Sequence, residues 1–96
     1  MSDYPTEADL LAIESWKFNR AKSYRNLAQF VCAIWHWPER ARLYGSWLQL
    51  HTGGWSGNEE IVSALKTTMF WMLCWQKSER GGHYYFRLPV AKQFDK

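Results

Sequence analysis

A glycine-rich segment that begins at His51 constrains the fold more than any other part of this chain. It reads His-Thr-Gly-Gly-Trp-Ser-Gly-Asn-Glu-Glu over residues 51–60. Glycine allows tight turns because it adopts positive φ without steric cost. Ser56 followed three residues later by Glu59 has the spacing of a helix capping box. The segment therefore predicts an incoming strand, a tight loop, and a helix with Ser56 as its N-cap and Glu59 at position N3.

The composition is that of one globular domain with an excess of aromatic residues. The 96 residues are 47% apolar and 22% charged, and they include seven Trp, five Tyr and five Phe. A chain of this length folds as a single domain, residues 1–96. Each buried aromatic side chain hides about 150–250 Å², so this set exceeds what one small core absorbs. We expect some of these rings at the surface, where Trp and Tyr dominate binding hot spots.

Apolar periodicity predicts two helices before the glycine segment. The first begins near Thr6, where Thr6 and Asp9 resemble a capping box, and ends near Asn19. The second carries an apolar stripe at helical spacing: Tyr24, Leu27, Ala28, Val31 and Trp35. Pro38 prevents this helix from continuing, and the residue before it, Trp37, is expected in an extended conformation.

The remaining elements are predicted to be mostly strands. After residue 41, alternation places Tyr44, Leu48 and Leu50 on one face and Trp47 and Gln49 on the other. Two alternatives fit: one strand, or a hairpin turned at residues 44–46. A short third helix follows the glycine loop.

The last part of the chain predicts a hairpin. Residues 69–76 are expected to form a buried strand, residues 78–82 a turn, and residues 83–88 the closing strand. Pro89 ends the pairing, and the tail to Lys96 is expected to be loose. The predicted class is α+β: two N-terminal helices, a small antiparallel sheet, and a third short helix inserted between strands.

Catalysis is not predicted. The loop at residues 53–58 precedes a helix and could hold an anion, but it matches neither the Walker nor the dinucleotide pattern. A structural loop-to-helix junction is favoured. Ser56 near His51 suggests a nucleophile, yet a nucleophile elbow requires glycine at position 58, which is Asn58. We therefore expect no enzyme activity.

No metal site or cofactor is predicted either. Cys32 and His36 lie one helical turn apart, and His51, Cys74 and His83 could complete a zinc site. Zinc sites normally show paired short spacings, and here only one short pair exists. Free thiols in a reducing compartment are the expected state of the cysteines, the alternative being one long-range disulfide. The acidic, polar N-terminus lacks signal-peptide character, and the longest apolar run is too short to cross a bilayer, so we expect a cytoplasmic protein without membrane contact.

The candidate binding residues are aromatic and basic. Alternation in the last strand places His83, Tyr85 and Arg87 on one face, whereas Tyr84, Phe86 and Leu88 on the other face are expected in the core. Arg80 lies beside this strand in the predicted turn, and Trp71 and Trp75 are expected on the preceding strand. A basic cluster adds Lys17, Arg20, Lys22 and Arg25, with helix-dipole complementation as the alternative explanation. The face suits stacking on bases or gripping an acidic protein surface.

The segment from Leu50 to Leu88 resembles small uncharacterised proteins encoded by bacteriophages and prophages. The motifs that carry the resemblance are Gly-Gly-Trp-Ser-Gly-Asn-Glu at 53–59, Phe-Trp at 70–71 and Arg-Gly-Gly-His-Tyr at 80–84. Such proteins resemble the class that includes inhibitors of bacterial defence such as anti-CRISPR proteins. The resemblance implies a non-enzymatic binding protein that occludes a host protein or ribonucleoprotein complex in the host cytoplasm. The alternative is a nucleic-acid-binding module using the basic and aromatic residues. The oligomeric state is left open.

Overall fold

The computed structural model describes residues 4–89, which form helices on one face of a four-stranded antiparallel sheet. The fold belongs to the α+β class, as predicted. The elements in chain order are α1 (Glu7–Glu14), α2 (Ala21–Ile34), a 3-10 turn (Pro38–Arg40), β1 (Ala41–Tyr44), β2 (Trp47–His51), α3 (Ser56–Leu65), α4 (Met69–Cys74), β3 (Trp75–Glu79) and β4 (His83–Arg87).

The strand order in the sheet is β1-β2-β4-β3, so β2 and β4 are central. The inner face packs against the helices, and its Leu48, Leu50 and Phe86 are fully buried in the core. Alternation turns the intervening side chains the other way. We call this other side the outer face, and its residues are Arg42, Tyr44, Trp47, Gln49, His51, Lys77, Glu79, His83, Tyr85 and Arg87.

Helix α1 begins as predicted and ends earlier. The Thr6 hydroxyl accepts from the Asp9 amide at 3.0 Å, and the Asp9 carboxylate accepts from the Thr6 amide at 3.1 Å, which confirms the capping box. The helix stops at Glu14, five residues before the predicted end at Asn19. The reason is tertiary, because the Trp16 indole donates to a main-chain carbonyl at the start of α2 at 3.0 Å.

The predicted apolar stripe is confirmed in α2 and in its C-cap Trp35, but the conformation of Trp37 differs from expectation. All five stripe residues are buried. Trp37 is not extended; it has φ 64° in the left-handed region, although a proline follows. Packing stabilises this conformation, because the Trp37 ring lies so close to Gly53 that a Cβ there would meet it at 2.7 Å. The Arg40 guanidinium also lies over the Trp37 ring, 5.7 Å from its centroid.

Strands β1 and β2 form the hairpin that the sequence left as one of two alternatives. The two-residue turn is Gly45-Ser46, with Gly45 at φ +57°. The predicted face of Tyr44 is wrong, because the turn places it opposite Trp47 instead of in line with Leu48. Tyr44 is accordingly 52% exposed.

The start of α3 also differs from the prediction. Its N-cap is Trp55, and Ser56 is the first helical residue. Position N3 is therefore Asn58 and not Glu59. The Ser56 hydroxyl lies 2.8 Å from the Tyr4 hydroxyl, so Ser56 caps no helix amide.

Asn58 joins three segments at this point. Its side chain is 1% exposed. Oδ1 accepts from the His36 amide at 2.9 Å, and Nδ2 donates to the His36 carbonyl at 3.0 Å and to the Thr52 carbonyl at 3.3 Å. One amide thus fixes the end of α2, the end of β2 and the first turn of α3 relative to each other.

Residues 69–76 were predicted as a buried strand, and this prediction is wrong. They form α4 and the start of β3. The Thr68 hydroxyl begins α4 by accepting from the Trp71 amide at 3.4 Å, so Trp71 is on a helix and only Trp75 is on the strand. The buried residues Phe70 and Cys74 are four apart, which is helical spacing. A fourth helix is therefore inserted between the strands. The predicted loose tail lies mostly outside the described residues.

We expect Asn58→Ala to lower the free energy of unfolding by about 2–4 kcal/mol, because it removes a buried hydrogen-bonding side chain and leaves main-chain groups of His36 and Thr52 without their partner. Urea unfolding followed by circular dichroism measures this. The matched control is Ser56→Ala, for which we expect a loss under about 0.5 kcal/mol since no N-cap bond is removed. A Ser56→Ala loss as large as that of Asn58→Ala would contradict this assignment of the junction.

Candidate functional site

The outer face is a mixed aromatic and charged surface. A shallow groove of about 560 Å³ crosses it, open to solvent, and all four strands contribute to its lining. The lining residues are Tyr44, Trp47, Gln49, Gln76, Lys77, Glu79 and Tyr85. Three strand residues of this face carry permanent positive charge and one carries negative charge, so the surface favours an anionic partner.

Two cation–aromatic pairs lie on the outer face. The Arg87 guanidinium lies 5.0 Å from the Trp47 ring centroid, and the Lys77 ammonium lies 5.0 Å from the Tyr85 ring centroid. Arg87 also donates through Nε to the Ser46 hydroxyl at 3.2 Å. The rings and the cations hold each other in position, so the groups that would contact a partner are already ordered.

Hydrogen bonds between outer-face side chains extend this order. Tyr85 donates its hydroxyl proton to Glu79 Oε1 at 2.9 Å, and Gln49 Nε2 donates to the Tyr44 hydroxyl at 2.7 Å. The bond from Tyr85, followed by the charge of Lys77, lowers the pKa of Glu79. The same bond raises the pKa of Tyr85. Glu79 is therefore ionised and Tyr85 neutral at physiological pH.

His51 and His83 meet at one end of the face. Their Nδ1 atoms are 2.7 Å apart, so one ring must donate and the other accept. Desolvation by burial lowers the pKa of His51 below its usual 6.5, and the charges of His83 and of nearby arginines lower it further. Protonation of the His51 ring is therefore disfavoured in the folded protein.

The structure places the predicted site residues in different regions. His83, Tyr85 and Arg87 share the outer face and Phe86 is buried, which confirms the predicted alternation. Arg80 is exposed in the turn between β3 and β4.

Within the predicted basic cluster, Lys17 and Arg20 are exposed in the connection between α1 and α2. Arg25 donates to the Gly45 carbonyl, and so it reaches the same turn whose Ser46 accepts from Arg87. Arg25 is thus part of the support of the β1–β2 turn.

Sequence reasoning missed much of the face. It did not include Arg42, Tyr44, Trp47, Gln49 and Lys77 among the site residues. The alternative of a hairpin turned at residues 44–46 could have identified the residues of β1 and β2 on this face. A turn at Gly45-Ser46 sets Tyr44 opposite Trp47. Lys77 had no such signal, since β3 was predicted to begin earlier and to be buried.

The other candidate sites have structural explanations. The first turn of α3 is covered, since a Cβ at Gly57 would lie 2.7 Å from Trp55 Nε1 and 3.1 Å from Pro5 Cδ. The Trp55 ring stacks on His36 with centroids 4.7 Å apart. The glycine loop thus carries packed aromatic rings next to the helix start.

The cysteines are free, as expected. Burial raises the pKa of Cys74 to about 12 and also raises the pKa of Cys32, so both are protonated at neutral pH. Within residues 4–89, no group of three or more His, Cys, Asp and Glu side chains is arranged to hold a metal ion.

No family model, curated protein or solved structure matches this chain. None of the helices in residues 4–89 has both the length and the apolar character needed to cross a bilayer.

We expect the folded state to lose stability as the pH falls below 6.5. The folded protein binds the His51 proton more weakly than the unfolded chain does, so the unfolded state gains protons first. This contribution is complete above pH 6.5 and decreases as the pH falls through 6.5 toward the lower folded-state pKa. Chemical unfolding at a series of pH values measures it. His51→Gln should show a shallower decrease over that interval, and an unchanged decrease would assign the effect to another group.

The two sides of β4 should respond differently to truncation. We expect Phe86→Ala to lower the free energy of unfolding by about 3–5 kcal/mol, because it opens a cavity in a fully buried position. Tyr85→Ala, its neighbour on the outer face, should cost under about 1 kcal/mol. Thermal unfolding of the two variants compares them. Equal losses would mean that the outer face is part of the structural core.

Proposed function

We propose that this protein is a non-enzymatic binding protein that docks through the outer face of its sheet onto an acidic surface of a macromolecular complex. The observation that carries the proposal is the pair of cation–aromatic contacts, Arg87 on Trp47 and Lys77 on Tyr85, on the side of the sheet that the described helices do not cover. Binding energy concentrates in aromatic and arginine side chains at interfaces. Both kinds are held here on strands, which are rigid supports.

The surface also has the mixed chemistry of a protein interface. The groove brings rings, amides and opposite charges together, and Tyr44 offers a half-exposed ring at its border. Interface cores of this kind combine aromatic anchors with polar groups that fix orientation. A partner carboxylate could replace water around Arg87 and form the two-point contact that a guanidinium favours.

The state of the rings favours a protein partner over a nucleic acid. A base stacks on an aromatic face that is open to it. Arg87 lies over one face of Trp47, and Lys77 lies over one face of Tyr85, so a base could stack on either of those faces only by displacing the cation. A protein surface can instead contact the edge of the ring and the cation at the same time.

The resemblance of residues 50–88 to small bacteriophage proteins favours a bacterial host complex as the partner. In this proposal the protein acts by occlusion, in the manner of anti-CRISPR inhibitors, and it needs no reaction of its own. The Ser56 hydroxyl is in contact with Tyr4, and the His51 ring with His83, so each of these two groups already has another partner.

Single-stranded nucleic acid is the second candidate, and one observation favours it. An antiparallel four-stranded sheet that presents aromatic and basic side chains on an uncovered face is the arrangement that RNA-recognition sheets use. This candidate differs from the first in its salt dependence. Affinity for a nucleic acid falls steeply with salt because counterions are released from the phosphates.

The test begins by capturing partners from a bacterial lysate on the immobilised protein and identifying them by mass spectrometry. We expect Tyr85→Ala and Arg87→Ala each to weaken binding to the captured partner by about 1–3 kcal/mol, measured by calorimetry over a range of salt concentrations. A single-stranded oligonucleotide serves as the comparison ligand.

The matched control is Lys66→Ala, which removes a cation–aromatic contact on the helix side, where Lys66 lies over Trp71. This variant should bind as the unchanged protein does. Unchanged binding by both outer-face variants would overturn the proposed face, and the basic cluster at Lys17 and Arg20 would become the candidate. Tight, steeply salt-dependent binding of the oligonucleotide with no protein captured would favour the second candidate.

A further inference from the structure

The free edge of the sheet at β3 has features that the proposed docking face does not explain. Among residues 4–89, the only strand that pairs with β3 is β4, and all five residues of β3 are exposed. Unpaired edges present main-chain donors and acceptors to any other strand. Proteins usually protect such edges with a lysine or a bulge. Here the bulge lies at the N-terminal end, between Trp75 and Lys77, and leaves residues 77–79 regular.

The sequence of this edge is complementary to itself. We infer that β3 pairs with β3 of a second copy of this chain, antiparallel and centred on Ser78, to form a symmetric dimer. In this register Lys77 lies opposite Glu79 of the second copy, and Glu79 lies opposite its Lys77. Opposite charges directly across an antiparallel pair stabilise it, whereas like charges destabilise it. Lys77, which would disfavour pairing with most other strands, therefore has an opposite charge across from it in this register.

The neighbouring register does not have this property. Centring the pairing on Lys77 would place the two lysines opposite each other, and Ser78 would face Gln76. The central register is also compatible with the ends of the strand. Gln76 comes opposite Arg80, and the exposed Trp75 comes opposite the glycine turn at Gly81, where little side-chain volume opposes it.

Exposed apolar side chains lie next to this edge. Helix α4 leads directly into β3, and its Met69, Met72 and Leu73 are 47%, 76% and 51% exposed. They share one helical face, because they occupy positions i, i+3 and i+4. Trp75 adds a ring that is 41% exposed. Apolar surface of this kind supplies the burial that strand pairing alone lacks.

The dimer would join the two sheets into one of eight strands. The two-fold axis of an antiparallel edge pairing runs perpendicular to the sheet, so both outer faces point to the same side. The inference does not depend on the proposed function, because its partner is a second copy of this chain and its contacts are main-chain pairing along the edge of β3. Lys77 and Glu79 belong both to this edge and to the outer face. The dimer would present the docking face twice, side by side.

The experiment measures the molar mass of the purified protein by light scattering and by sedimentation over a dilution series. We expect a species of twice 11.4 kDa that dissociates on dilution. Lys77→Glu and Glu79→Lys should each weaken dimerisation by at least about tenfold, because each places two like-charged pairs across the interface. The double variant Lys77→Glu with Glu79→Lys restores opposite charges and should recover the dimer.

Lys22→Glu is the matched control, since it makes the same change of charge at an exposed position of α2 and should leave the dissociation constant unchanged. Circular dichroism and thermal unfolding verify that every variant is folded. A monomer at every concentration would overturn the inference. So would single variants that behave like the Lys22→Glu control, or a double variant that stays as weak as the single ones. None of these results depends on whether the outer face binds its proposed partner.

Discussion

The hydrogen bonds of the buried Asn58 side chain hold together the part of the structure on which the remainder depends. These three bonds connect the first turn of α3 to the main chain of His36, which follows α2, and to the main chain of Thr52, which follows β2. Buried main-chain groups need partners, and at this junction the side chain supplies them. With these segments fixed, the Trp37 ring can lie against Gly53 and the chain can turn tightly enough for α3 to return over the sheet.

The glycine turn between β3 and β4 packs against the same junction. The Thr52 amide donates to the Gly82 carbonyl at 2.9 Å. A Cβ at Gly82, which has φ +81°, would lie 2.0 Å from the Thr52 hydroxyl. Only glycine is compatible with so close an approach. The β3–β4 hairpin is thereby held to the end of β2, and the two histidines of the outer face are brought within hydrogen-bond distance.

The fold places all of the described helices on the inner side of the sheet, and this asymmetry leaves the outer face without a helix packed on it. The inner face uses Leu48, Leu50 and Phe86 to form the core with the helices. The outer face then contains rings whose partners are cations and hydroxyls instead of apolar side chains. The high aromatic content is divided between these two uses. A small chain can carry so many rings because many of them are not in the core.

The candidate site was predictable where a single strand determines it. Alternation along β4 was sufficient to place Tyr85 and Arg87 outside and Phe86 inside, because successive side chains of a strand point to opposite faces. The other half of the site could not be predicted in this way. Trp47 and Lys77 join it only through pairing of β2 and β3 with β4, and the register of that pairing depends on the hairpin turn and on the bulge before Lys77.

The sequence by itself determined the α+β class, the apolar stripe of α2, the cap of α1 and the alternation of β4, because each follows from residues close together in the chain. Only the tertiary structure decided the conformation of residues 69–76. Their apolar composition suits a buried strand or a helix, and the helix forms where Phe70 and Cys74 reach the core together. Tertiary structure likewise decided the start of α3, since Ser56 had the spacing of a cap while Asn58 had the partners. Local rules determine what a segment can form, and the contacts available at long range determine which of those forms buries its polar groups with partners.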